Sequence, residues 1–271
     1  MLHRRHAAGY RLWTDHPPPS ARVRAVRLAA WSLFDPGADG VVTGFDPLAA
    51  GVARKHLKTM TRAVQLGVAG VHAALAHVSL ADFAPERRGL FVGASPQSGD
   101  AEDLEAAVSA SQRSLAGFVA HGIPLIPPLW LVKGLSNNIL GYASAQHDLR
   151  GDNGNWCDGR LSGAIALCNA VAAVREGRVD LAIAGGADAL VGAESVVGGR
   201  CAEGAAFFVF VAGEGSGWRA EAGIPSEVGA CTDAGEMGAV SVPVGLGRAL
   251  RASEGSLVAV GGVRLTRSGA S

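Results

Sequence analysis

The residue types that could do covalent chemistry gather around one stretch, Asn155-Trp156-Cys157-Asp158-Gly159-Arg160-Leu161-Ser162-Gly163, which opens an apolar run ending at Arg175. A nucleophile placed where such a run becomes a helix would be activated by the free backbone N–H groups and the helix dipole. Arg160 holds that opening position. A guanidinium stays protonated at every usable pH and cannot attack a carbonyl. It also sets positive charge at the positive end of a helix, which calls for a carboxylate; Asp158 and Asp152 are the nearest in sequence. Cys157 lies three residues earlier, beside an acid that works against a thiolate, and reads as a small buried strand residue rather than a reactive one. His147, in the turn Gln146-His147-Asp148, reads as structural or solvated, and His72 and His77 as packing or surface residues of an early helix.

The four cysteines (Cys157, Cys168, Cys201, Cys231) form no CxxC pair, so neither zinc spacing nor a disulfide framework is present; Cys168 reads as a buried helix residue. Gly185-Gly186 lacks the glycine pattern and the first-strand placement that dinucleotide binding requires. No metal and no cofactor is expected.

Short apolar strands alternating with helices must position these residues. Strands are predicted at residues 23–34, 88–93, 152–156, 180–184 (ending at Gly185-Gly186), 205–211 and 257–265. Helices are predicted at 57–78, 99–119 with Asp100 as N-cap, 130–146, 161–175 and 234–251, the last kinked or shortened by Pro243. The helix at 161–175 is apolar on nearly every side and so must be buried. Residues 1–20, with Pro17-Pro18-Pro19, read as a flexible leader, and 21–271 as a single domain. The pattern is that of an α/β protein with a sheet covered on both faces.

Composition narrows the function classes. Apolar residues make up 48% and charged residues 18%, so much surface should be buried, a subunit interface included. A formal net charge of zero gives no bulk attraction for nucleic acid. No apolar run reaches membrane-spanning length free of glycines or charges, and no signal-peptide pattern is seen. A cytoplasmic protein with reduced thiols, bound to neither nucleic acid nor membrane, is the expectation.

Four segments, in order, resemble the β-ketoacyl synthase family. They are the helix from Lys55-His56-Leu57-Lys58 to Ala73-Ala74-Leu75; the stretch from Gly151 through Leu161-Ser162-Gly163 to Ala184-Gly185-Gly186-Ala187-Asp188; Glu203-Gly204-Ala205-Ala206; and Gly235-Glu236-Met237-Gly238-Ala239. The resemblance implies a thiolase-like, layered α/β/α/β/α fold with a shortened C-terminal half. Aligned on Ser162-Gly163, Arg160 falls where the family has its nucleophilic cysteine. The family's second histidine aligns near Asp233, its lysine near Val228, and its closing Gly-Phe-Gly-Gly-x-Asn loop is reduced to Gly261-Gly262. No Thr-x-Thr-Pro histidine segment occurs between Gly213 and Val228.

A decarboxylating condensation needs a thiolate and two imidazoles, so the resemblance implies a noncatalytic subunit. That role is a chain-length-factor-like partner of an active ketosynthase in a type II polyketide system, polyene-making clusters among them. Family dimers form through the strand before the nucleophile, which implies an interface at Asp152, Asn153, Asn155, Trp156 and Cys157. Trp130 and Arg160 would shape the acyl tunnel, and acyl carrier protein would be met through the complex. Two alternatives stay open: a catalytically altered enzyme (decarboxylase or acyl hydrolase), and a stand-alone carrier-protein-binding scaffold.

Overall fold

The computed structural model describes residues 23–95, 102–215, 217–226, 235–253 and 255–268. Among them, eight strands form one mixed sheet: β1 (Val26–Phe34), β2 (Arg88–Ala94), β3 (Asn153–Trp156), β4 (Leu181–Ala189), β5 (Glu203–Ala212), β6 (Gly217–Ala222), β7 (Leu257–Val260) and β8 (Val263–Ser268). Their spatial order is β3-β2-β4-β5-β1-β6-β8-β7. β2 runs parallel to β3 and β4, and the remaining pairs are antiparallel. The principal helices are α1 (Arg62–Leu75), α2 (Glu102–Ala110), α3 (Asn138–His147), α4 (Ser162–Arg175) and α5 (Ser241–Ala252).

Strand side chains alternate between faces, so the central strands feed two cores. Leu90, Val92, Ile183, Phe207 and Val209 pack with α1 and α3, while Phe91, Ala182, Ala184, Phe208 and Phe210 pack with α4 and α5. α4 is buried nearly all round, as its composition requires. Layered strands and helices of this kind are the expected α/β architecture. No helix among the described residues is long and apolar enough to cross a membrane.

Several element boundaries differ from the sequence reading, each for a local reason. β4 does not stop at Gly185-Gly186 but runs on to Ala189. These glycines permit close backbone approach rather than a turn: a Cβ on Gly185 would lie 2.8 Å from Phe207 Cα, and one on Gly186 2.7 Å from the Gly93 carbonyl oxygen. The helix expected over 99–119 ends at Ala110, followed by positive φ at Gln112 and Arg113, and Asp100 lies outside the described residues. The helix expected over 130–146 is two: a short turn, Trp130–Lys133, and α3, separated at Gly134. α5 begins only at Ser241, so Pro243 sits in its first turn, where its missing N–H has no intrahelical partner to lose. The strand expected over 257–265 is a hairpin, β7 and β8, turned by Gly261 (φ 62°) and Gly262 (φ 92°); two positive φ values in a two-residue loop match the right-handed strand twist. β6 was not foreseen, although Trp218, Ala220 and Ala222 alternate with Arg219 and Glu221. The predicted leader, 1–20, lies outside the described residues.

One buried charge ties the sheet to α1. Glu203 is 3% exposed at the start of β5. Its carboxylate accepts from Arg62 Nε (3.0 Å) and Arg62 Nη2 (2.7 Å), and from the Val42 N–H (2.9 Å). The same guanidinium lies 4.6 Å from the Phe45 ring centre. Removing the acid leaves a half-buried cation and a buried N–H unmatched. Glu203→Ala is expected to destabilise the fold by about 3 kcal/mol; urea denaturation checks this, and a change below about 1 kcal/mol would mean the pair is dispensable.

Candidate functional site

The site stands at the C-terminal ends of the parallel strands β2 and β4, against the first turn of α4. Backbone packing there is unusually close. A Cβ on Gly93 would collide with the Gly163 backbone, and one on Gly163 would lie 2.5 Å from the Ala239 carbonyl oxygen and also strike Pro243. β2, β4, α4 and the turn Gly238–Val240 therefore meet main chain to main chain, which only glycine allows.

Arg160 lies in the tight turn Gly159–Leu161 that leads into α4. Gly159 has φ 53°, and Ser162 Oγ both accepts from the Asp158 N–H (2.7 Å) and donates to the Gly159 carbonyl (2.8 Å). The Ser162 hydroxyl is thus committed to holding the turn. Among the described residues the carboxylate that answers Arg160 is neither Asp158 nor Asp152 but Glu236, 76 residues away: Arg160 Nε donates to Oε1 at 3.0 Å and Nη2 to Oε2. Glu236 Oε1 also accepts the Gly238 N–H at 2.9 Å. The Glu236 backbone is itself pinned, donating to the Arg200 carbonyl (2.7 Å) and accepting from the Ala202 N–H (2.8 Å). Asp152 pairs with Arg178 instead.

Beneath this pair sits Asp188, 2% exposed. It accepts from Ser95 Oγ, from the Ala239 N–H (3.1 Å) and from the Ala189 N–H (3.1 Å). Burial pushes its carboxyl up to about 6, against the pull of those three hydrogen bonds; the nearby Glu236 charge adds to the rise. Asp188 is the residue the sequence reading passed over. Its only mark was its place directly after Ala184-Gly185-Gly186-Ala187.

The other expected site residues are spread more widely. Asn153 to Trp156 form β3, at one edge of the sheet, bonded to β2 alone among the described strands. Trp156 is half-buried and stacks on Phe91, with ring centres 6.3 Å apart. Cys157 is exposed just beyond β3, not buried on the strand; Asn155 Nδ2 approaches its Sγ at 3.5 Å. Trp130 belongs to the separate turn Trp130–Lys133, which packs beside Arg54–Thr59. Asp233, Cys231 and Val228 lie outside the described residues. His147, stacked on His72 with ring centres 5.3 Å apart, is held down to about 4 by burial and then by the His72 charge.

A mixed sheet with helices on both faces and a buried helix starting at the C-terminal strand ends fits the thiolase-like class, and the matches that follow assign the chain to it. The family model for the β-ketoacyl synthase N-terminal domain matches residues 35–206. The chain belongs to the β-ketoacyl synthase family. Solved structures agree in fold. The AntDE:AntF complex of a type II PKS acyl-carrier protein with its ketosynthase gives a TM-score of 0.57 at 16% identity, covering 70% of this chain and 62% of that one. The ishigamide ketosynthase/chain length factor gives 0.55 at 17% identity, with 71% and 59% covered. A β-ketoacyl synthase from Burkholderia phymatum gives 0.55 at 16% identity, with 73% and 64% covered. The chain thus spans about three fifths of these relatives' length. No match is found among curated proteins.

Across about pH 4 to 6 the native state keeps a proton on Asp188 that the unfolded chain has released, so this group's contribution to stability falls as pH rises through that window. His147 slopes the other way, because its proton is lost on folding. The informative quantity is therefore the difference from Asp188→Asn. That variant is expected to gain on the order of 2 kcal/mol relative to wild type between pH 4 and pH 7, read from urea midpoints. Parallel curves would place the Asp188 proton elsewhere.

Proposed function

We propose that this chain is a noncatalytic, chain-length-factor-like partner of an active ketosynthase in polyketide or fatty-acid synthesis, polyene-forming systems included. The observation that carries the reading is the Arg160–Glu236 pair at the start of α4. Where the family places a thiolate that takes the acyl group, this chain holds a guanidinium already matched by its own carboxylate. Such a site neither attacks a thioester nor offers a free anion hole. Arg160 acts as a strut across the vacant position.

The edge strand β3 supports the same reading. Asn153, Asn155 and Trp156, flanked by Asp152 and Cys157, lie on a strand that pairs with β2 alone among the described strands, so its outer edge can take a strand of a partner. The half-buried Trp156 ring supplies an apolar anchor at that edge. Trp130 would line the acyl tunnel, and acyl carrier protein would meet the chain through the complex, in the cytoplasm. The similar solved structures described above include a ketosynthase/chain length factor and a ketosynthase with its acyl-carrier protein.

Co-expression with a cognate ketosynthase tests the proposal. A stable one-to-one complex is expected by size-exclusion chromatography with light scattering. Incubation of this chain with acyl-loaded carrier protein should leave its intact mass unchanged. A soluble monomer that ignores the ketosynthase would overturn the partner reading, and an acyl adduct on Cys157 would favour an altered enzyme.

A further inference from the structure

Two histidines come together at the ends of the helices that cover one face of the sheet. His72 lies in the last turn of α1, and His147 is the last residue of α3. Their ring centres are 5.3 Å apart and their planes 28° apart. Packing alone does not call for this pair, since two apolar rings would fill the space without ring nitrogens to satisfy. The His72 ring is hydrogen-bonded to none of the described residues. The His147 ring has one long contact among them, its Nε2 lying 3.4 Å from the Gln146 amide nitrogen.

Both rings are nevertheless fixed. A Cβ on Gly51 would lie 2.3 Å from His72 Cδ2 and 2.5 Å from its Nε2, so the Nε2 edge of that ring rests on the Gly51 main chain. Gln146 Nε2 donates to the Gly51 carbonyl at 2.9 Å, and from there it reaches the Nε2 edge of His147. The two Nε2 edges therefore border the same glycine.

The spacing suits one shared ion. With each ligating nitrogen about 2.0–2.1 Å from the ion and each ring centre about 1.2 Å behind its nitrogen, two imidazoles at a tetrahedral angle have ring centres about 5.3 Å apart. The field suits a cation, because the partial negative charges of two helix C-termini meet there. His72 is exposed, which gives an ion a path in from water. From this geometry we propose that His72 and His147 hold one divalent transition-metal ion of the zinc, copper and nickel class, tying the last turn of α1 to that of α3. Imidazole nitrogen selects these ions over magnesium and calcium, which take oxygen donors. Among the described residues no third His, Cys, Asp or Glu completes a metal cluster, so the Gln146 amide and water serve the remaining positions. The site is independent of the partner reading.

Calorimetric zinc titration of the full chain tests the site, comparing wild type with His72→Ala, His147→Gln and, as a control, His77→Ala. His72 and His77 are both exposed. Melting curves of the zinc-free variants within about 2 °C of wild type verify folding. Loss of an outer-shell partner alone costs roughly 10–100-fold in metal affinity, so each ligand variant is expected to weaken one zinc equivalent by at least about tenfold, while His77→Ala keeps it. The rise in melting temperature that zinc gives wild type should shrink in both ligand variants. Wild-type isotherms in both ligand variants would assign zinc to other histidines of the chain and overturn the site, as would failure of wild type to bind. Weakening in only one of the two would break the shared site and overturn it as well. An equal rise in melting temperature with magnesium would overturn the transition-ion assignment.

Discussion

Main-chain contact around the first turn of α4 governs the rest of the molecule. Gly93 on β2, Gly186 on β4 and Gly163 on α4 bring two strands, a buried helix and the turn before α5 together without intervening side chains. Close packing of this kind cannot absorb even a methyl group without displacing backbone. The N-terminus of α4 is therefore fixed against the strand ends. A long side chain at position 160 has no internal room and must find its partner at the rim, where Arg160 and Glu236 meet with side chains 42% and 12% exposed.

That placement sets the energetics of the pair. A half-exposed ion pair contributes little net stability, of order 1 kcal/mol or less. Its importance lies in occupancy. The N-terminal end of a helix attracts anions, and a guanidinium there is tolerable only with a carboxylate close by. Glu236 supplies it while also accepting the Gly238 N–H, so one carboxylate neutralises Arg160 and shapes the turn that closes over Gly163 and Gly186. Asp188, from below, holds the same turn through the Ala239 N–H. Two acids thus secure one turn, Glu236 mostly buried at its rim and Asp188 in the core.

How much of this was legible in the sequence follows from the range of each interaction. Strands β1, β2 and β5 and the buried helix α4 announce themselves through short apolar runs and a helix without a polar face. Arg160 draws notice because a cation directly precedes a helix without a polar face. Glu236 as its partner does not, because a pairing across 76 residues leaves no local pattern, and nearer acids at Asp158 and Asp152 were equally plausible. Glycines misled in both directions. Gly185-Gly186 looked like a strand end but serves close approach inside β4, while Gly261-Gly262 sits inside an apolar run yet makes the hairpin turn. Between α2 and α3 helical periodicity fails because prolines and the positive φ values of Gln112 and Arg113 break residues 111–137 into short turns.

The final strands show what fixes the start of α4. α4 is apolar nearly all round, so the sheet on one side covers only part of it. The remainder needs apolar cover from elsewhere, and Val242, Val244, Leu246 and Leu250 of α5, with Ala220, Val258, Val263 and Leu265 of β6 to β8, belong to the same core. Those three strands are antiparallel, so they can bury one face on α4 and α5 and leave the other to water, where Arg219, Glu221, Arg264 and Thr266 lie exposed. The Gly261-Gly262 turn closes that hairpin, and a Cβ on Gly261 would strike Val242 in the first turn of α5. The Gly163 contacts that position the start of α4 thus belong to the same packing that buries α4. The fold must hold position 160 in place whether or not the residue there can react.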